Sequence, residues 1–199
     1  MSTRTDTHHI YDSAHDVDGA VGVPSLNWYV AITGPRHEKT VARQLQLQGI
    51  TTYVATQLQT RIWNNGRRKK IDHVVIPNIV FIQCDEPTRR QIVSHHLINR
   101  FMVNRTADTG SRNHPPAIIP HQQIQQLQFM LGHTDQPVGF IPTTYHQGDR
   151  VRVIRGALAG LTGHITLNTD GTHALIISIP HLGGATVKID PHEVERIPS

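Results

Sequence analysis

Of the 199 residues, 15 are His, 19 are Lys or Arg and one, Cys84, is Cys. These are the side chains that would ligate a metal, hold phosphate or act as a nucleophile, and their spacing separates the three chemistries. The histidines are scattered. His95 and His96 are adjacent, and neighbours in sequence do not share a helix face. For His8, His9 and His15 no carboxylate or cysteine geometry is evident that would close a metal site, and no HExxH occurs. Cys84 follows an apolar run, with only Arg89 and Arg90 near it in sequence to favour a thiolate. There is no nucleophile elbow, no phosphate-binding glycine loop and no dinucleotide fingerprint. The expectation is a protein that is not an enzyme and that carries no metal and no cofactor. One spacing does point to a ligand. Arg61, Arg67, Arg68, Lys69 and Lys70 place five cations in ten residues. Such a cluster suits the phosphates of a nucleic acid, and the flanking Trp63 either stacks on a base or packs under the turn.

The charge distribution agrees with this. Formal net charge is +4, but residues 27–131 hold 13 basic and 5 acidic side chains. Residues 1–26 carry Arg4 against four Asp, and residues 146–199 carry five of each sign. The middle segment is thus the electrostatic footprint, and a polyanion is its natural partner, although a merely solvated surface has the same count. No window approaches 18 apolar residues, so no membrane partner is expected. The start of the chain lacks the apolar core of a secretory signal, and one cysteine excludes a disulfide framework; both favour a cytoplasmic protein.

The elements that must position these cations follow from periodicity. Trp28–Thr33 reads as a strand, broken by Gly34-Pro35. His37–Gln48 reads as a helix with Val41, Ala42 and Leu45 on one face and Gly49 at its end. Ile50–Leu58 is a second strand. Residues 61–75 read as a hairpin, with Asn65-Gly66 as a type I′ turn. Asn78–Gln83 is apolar on both faces, as in a central strand. Pro87–Ile98 is a helix with Val93 and Leu97 on one face and Arg89 and Arg90 at its start. Arg100–Asn104 is a strand. Pro120–Leu131 is a helix ended by Gly132. The result is an α+β domain, helices on an antiparallel sheet, over 27–131. Residues 1–26 read as a disordered acidic tail and 132–145 as a linker. In 146–199 short apolar runs are punctuated by glycine, which predicts a small β-barrel.

The stretch Gly148-Asp149-Arg150-Val151-Arg152-Val153-Ile154-Arg155-Gly156-Ala157-Leu158-Ala159-Gly160-Leu161-Thr162-Gly163 resembles a KOW motif, through the spacing of Gly156, Gly160 and Gly163. Trp28-Tyr29-Val30 resembles the first strand of a NusG N-terminal domain. Residues Glu38–Ala42 with Leu45 and Gly49 resemble its first helix, and Ile76-Pro77-Asn78-Ile79-Val80-Phe81-Ile82 its signature strand. The resemblance to the NusG superfamily covers about residues 27–199, both domains in order. Asn78 in place of the usual Gly, together with the basic hairpin, looks like the specialised RfaH and UpxY paralogues, the latter antiterminators of capsular polysaccharide operons. Ile79 stands where the family usually has Tyr.

The resemblance implies a transcription elongation and antitermination factor. Its N-terminal domain would dock on the clamp helices of the largest RNA polymerase subunit through Tyr29, Ile76, Pro77 and Ile79, with Trp28 more a core residue than a contact. Arg89 and Arg90 would reach the opposite side of the cleft, bridging it and suppressing pausing. The basic hairpin would meet upstream or non-template DNA, or nascent RNA, with Arg36, Lys39 and Arg43 beside it. The C-terminal domain would bind a ribosomal protein or a termination factor, Leu182 falling where the family carries an exposed Phe. A monomer is expected. Two other readings fit parts of the pattern: a KOW-type RNA-binding protein of the ribosome, which should have a basic barrel, and housekeeping NusG.

Overall fold

Trp28, Val30 and Ile32 alternate with Tyr29, Ala31 and Thr33 along β1 (Asn27–Thr33), and both sets are buried or nearly so. A strand apolar on both faces needs cover on both sides. In the computed structural model, which describes residues 25–198 except 65, 108–113 and 143–147 and the side chain of Arg61, β1 has that cover. The expected tail with His8, His9 and His15 lies almost wholly outside the described residues.

The first sheet is antiparallel, in the order β2 (Thr51–Tyr53), β5 (Ile79–Cys84), β1, β6 (Ile98–Phe101), with β7 (Ile118–Ile119) also on β1. The register pairs Ile32 with Ile79, Val30 with Phe81 and Tyr29 with Ile82. On one face Tyr29, Ala31, Val80 and Ile82 meet α1 (Glu38–Leu47) through Val41, Ala42 and Leu45, and α2 (Glu86–Ile92) through Ile92. On the other, Trp28, Val30, Ile79 and Phe81 meet α3 (His121–His133) through Ile124, Leu127, Met130 and Leu131. Each fully buried Val, Leu, Ile, Phe or Met among them contributes about 1.5–3 kcal/mol.

Local signals set the ends of these elements. Gly49, at φ +79, follows α1; its N–H bonds to Gln46 O at 3.0 Å and that of Ile50 to Leu45 O at 3.0 Å, a Schellman close. The carboxylate of Asp85 accepts from the N–H of Thr88 at 2.9 Å and starts α2.

Several boundaries differ from the sequence reading. The strand expected over Ile50–Leu58 is two, β2 and β3 (Thr56–Ile62). Ala55, fully buried, accepts from the N–H of Val75 at 2.8 Å where the chain leaves the sheet. β3 pairs with β4 (Arg68–Val74) as a separate two-stranded ribbon, the expected hairpin. Its turn is not the two-residue type I′. The N–H of Gly66 bonds to Trp63 O at 2.8 Å and that of Trp63 to Arg67 O at 2.9 Å, so Gly66, at φ +73, follows the turn rather than sitting at its centre. Asn65 itself lies outside the described residues. α2 stops at Ile92, which leaves Val93 exposed and puts Arg89 and Arg90 in its last turn, where cations suit the dipole, not in its first. The strand expected at Arg100–Asn104 is β6, shifted toward Ile98. α3 runs past Gly132, a tolerated helix residue that costs about 1 kcal/mol relative to Ala.

Within 132–145 lies β8 (Gly139–Ile141), which pairs with β12 (Gly183–Lys188). β8 edges a second antiparallel sheet in the order β13 (Val194–Arg196), β9 (Asp149–Val153), β10 (Thr162–Leu167), β11 (His173–Ile179), β12, β8. Where a closed small barrel was expected, no pairing among the described residues joins β13 to β8. The apolar cluster under the first sheet continues into this one through Val138, Leu175, Ile177, Ile179 and Leu182.

Candidate protein and nucleic-acid interfaces

The chain enters the first candidate site directly from β4. Ile76 and Ile79 are buried and Pro77 is exposed, at a corner whose geometry is set by Asn78. Asn78 has φ +63, a left-handed conformation that Gly takes freely and Asn tolerates better than most residues. Two bonds hold it: its N–H donates to Oε1 of the buried Glu38 at 2.7 Å, and its carbonyl accepts from Thr33 N–H at 2.8 Å. Glu38, named in the sequence reading only as part of the first helix, is therefore a structural cap for this corner.

Tyr29 does not join the corner. It is one residue out of phase with Trp28 and Val30 and so faces α1 and α2; at 2% exposed it is core, edge-on to Phe101. Burial pushes its phenol above the ordinary range. Trp28 is core too, its indole N–H donating to His121 Nδ1 at 2.9 Å. Ile76, Pro77 and Ile79 instead share a cleft of about 610 Å³ with Met102 and, from the second sheet, Phe140, Pro142, His181 and Leu182. Leu182 is 9% exposed, a buried anchor of the turn that His181, at φ +66, opens.

The basic ribbon is the second candidate. Arg68, Lys69 and Lys70 are exposed, as are Arg67 and Trp63, the last at 53%. Cross-strand partners share a face, so Arg68 and Lys70 lie with the exposed Ile62 and Leu58, while Lys69 lies opposite Arg61. Lys39 Nζ bonds Asp72 Oδ2 at 2.7 Å and Asp72 O at 2.8 Å, which ties α1 to the ribbon. Burial pushes the Asp72 carboxyl up, but hydrogen bonds from Lys39 and Thr56 and the Lys39 charge outweigh it and leave it below its ordinary value. Lys39 is thus engaged within the protein; Arg43, one turn on, and Arg36, at φ +64, are exposed.

Arg89 and Arg90 separate sharply. Arg89 grips Glu86 with Nε and a second nitrogen, both at 2.7 Å, and lies over the rings of Tyr29 and Phe101 at 5.7 and 5.3 Å. Its side chain is 15% exposed, against 74% for Arg90, which bonds the same carboxylate at 3.0 Å. Arg89 is therefore structural, and only Arg90 is open to a partner. Cys84 is buried, and burial first, then Asp85, raise its thiol to about 11 against the pull of Arg89, which disfavours the nucleophilic thiolate. Gly156 and Gly160 have φ +79 and +91. Gly163 does not; a Cβ there would stand 2.5 Å from Ile176 O, so its role is close approach of β10 to β11. Among the described residues no three His, Cys, Asp or Glu gather as a metal site, and no helix is long and apolar enough to cross a membrane.

The family described as transcription termination factor nusG matches residues 26–128, the span from β1 into α3 that contains the Ile76–Ile79 corner and the ribbon. The chain belongs to this family. Its members are transcription factors, not enzymes. No curated protein matches the chain. The solved structures similar to it include two of note. One, titled for domain interaction in Thermotoga maritima NusG, has 16% identity and a TM-score of 0.45 and covers 87% of this chain and 98% of its own. The other, an MjSpt4:Spt5 complex, has 11% identity and a TM-score of 0.28, with 86% and 97% covered. The sequence shows the ribbon and β5 as elements but gives no sign of the bonds made by Glu38 and Asp72, whose partners are far away in the chain.

Proposed function

We propose that this chain is a specialised elongation and antitermination factor of the RfaH and UpxY kind. It binds RNA polymerase at the clamp helices through Ile76, Pro77 and Ile79, with Arg90 reaching the opposite side of the cleft. Bridging favours the active polymerase conformation and suppresses pausing, which needs only differential affinity for the two states. No bond is made or broken. The ribbon, with Arg43 and Arg36, contacts upstream or non-template DNA. The second sheet is a KOW module of SH3-like type that takes a protein partner through the turn carrying Leu182. Specific operons, such as those for capsular polysaccharide, are the targets.

One observation carries this reading. β4 runs from the cationic turn straight to the apolar corner, so a phosphate-binding ribbon about 24 Å long, at 3.4 Å per residue, stands on a protein-docking foot. A factor that must touch polymerase and nucleic acid together needs these two surfaces on one rigid element. Because the second sheet shares the cleft with Ile76 and Ile79, the free protein keeps its docking corner largely covered. The balanced charge of 146–199 favours a protein partner there over the RNA-binding alternative.

The test is a pausing assay with a bacterial polymerase on a template carrying a strong pause. The full chain, or a Leu182→Asp variant that uncovers the corner, should shorten the pause lifetime. Unchanged lifetimes with both would refute the proposal.

A further inference from the structure

The amide of Gln57 is 4% exposed and every polar atom it has is used. Its Nε2 donates to Thr134 O at 3.1 Å and to Gln136 O at 2.9 Å, while its Oε1 accepts from the N–H of Val138 at 3.0 Å. One side chain thus bonds three alternate residues of the segment, which bends at Gln136 where its N–H donates to Thr134 Oγ1 at 3.1 Å. Gln57 stands at the root of the basic ribbon, beside Thr56. Val138, buried, leads directly into β8, whose far side is fixed by pairing with β12. Gly139 and Phe140 of β8, and Pro142 just after it, line the cleft with Ile76, Pro77 and Ile79. The segment 134–138 therefore leads from α3 to the cover of the docking corner, and Gln57 holds its middle.

We propose that Gln57 is the positioning residue that latches 134–138 to the ribbon root and so sets how firmly the second sheet covers the corner. Its control of the corner rests on the reading of Ile76, Pro77 and Ile79 as the polymerase surface. The latch requires donors and an acceptor on one planar head. A carboxylate keeps the acceptor for Val138 but turns two carbonyls against a negative charge; a protonated carboxyl regains one donor. Among the described residues no titratable side chain bonds to the amide; Lys70, Asp72 and Asp135, which line one cleft with Gln57, and His73, paired with Gln57 across the ribbon, are the titratable groups near it.

The experiment is amide exchange at Val138 in the full chain, expressed as a protection factor so that intrinsic pH effects cancel. Gln57→Ala should lower Val138 protection at least about tenfold while Phe81 and Ile82 in β5 keep theirs, which shows the fold intact. Gln57→Glu should be as unprotected at pH 7.5 and regain protection near pH 5, whereas the wild type shows no such pH dependence. Alongside, affinity for a clamp-helix fragment should rise several-fold in Gln57→Ala. Unchanged Val138 protection in Gln57→Ala, or no recovery in Gln57→Glu, overturns the latch. Lost protection without a gain in affinity, in a protein whose Leu182→Asp variant does gain, overturns its control of the corner. If no variant binds the fragment, the polymerase reading has failed and Val138 exchange still decides the latch.

Discussion

Leu182, in the turn between β11 and β12, and Ile76, at the foot of β4, line the same cleft, and both are at least nine-tenths buried. They are about a hundred residues apart, Ile76 in the loop that joins β4 to β5 and Leu182 in a turn of the second sheet. Truncating Leu182 to Ala should cost about 2 kcal/mol, the low end for a buried Leu, because a turn can settle into part of the space. Pro77→Ala, exposed at the same corner, should stay within about 0.5 kcal/mol. Urea unfolding of the two variants measures the contrast.

Arg89 and Arg90 should behave oppositely despite their adjacency. Arg89→Ala removes a bidentate pair to Glu86 and cover over Tyr29 and Phe101, and should cost about 2 kcal/mol. Arg90→Ala should leave stability within about 0.5 kcal/mol and lower polymerase affinity. Thermal unfolding beside binding separates the two roles.

Glu86 gives the fold an acid-sensitive contact. Hydrogen bonds from Arg89 foremost, against the opposing effect of burial and with help from Arg90, hold its carboxyl at about 2, below the ordinary value near 4.5. A depressed carboxyl contributes stability above its unfolded value, and that contribution is lost as pH falls from about 4.5 toward 2. Stability measured by denaturant from pH 6 to pH 2 should therefore fall less steeply in Glu86→Gln, which starts lower, than in the wild type.

The ribbon makes a claim about salt. Replacing Arg67, Arg68, Lys69 and Lys70 with Ala should weaken single-stranded DNA binding and flatten the dependence of log K on log salt. The change should be up to about 0.7 for each phosphate contact removed. Fluorescence anisotropy across a salt series reads this directly; an unchanged slope would place the nucleic-acid surface elsewhere.

The sequence displayed the elements far better than it displayed their facing. β1, α1, β5 and the ribbon follow from alternation, a 3–4 spacing, a doubly apolar run and a glycine turn, all local. Tyr29 was misplaced because its side of the sheet depends on register: only the pairing of Ile32 with Ile79 puts Trp28 and Val30, and not Tyr29, with the corner. Arg89 looked like a surface cation because nothing local announces that Tyr29 and Phe101 roof it. α2 ends early because the chain turns after Ile92, whose carbonyl accepts from His95 N–H at 3.1 Å; the matched spacing of Val93 and Leu97 was fortuitous. Gln57 had no signal at all, since its partners are backbone groups some 80 residues away.

Titration of a clamp-helix fragment with three proteins tests the central claim most directly: wild type, Leu182→Asp, and Leu182→Asp with Ile79→Asp. A carboxylate at 182 does not stay in an apolar cleft, so it should uncover the corner and strengthen binding several-fold over the wild type. Adding a carboxylate at 79 should abolish that binding, with far-UV circular dichroism unchanged to show the sheets intact. Equal affinity in the single and double variants would contradict the assignment of Ile76, Pro77 and Ile79 as the polymerase surface.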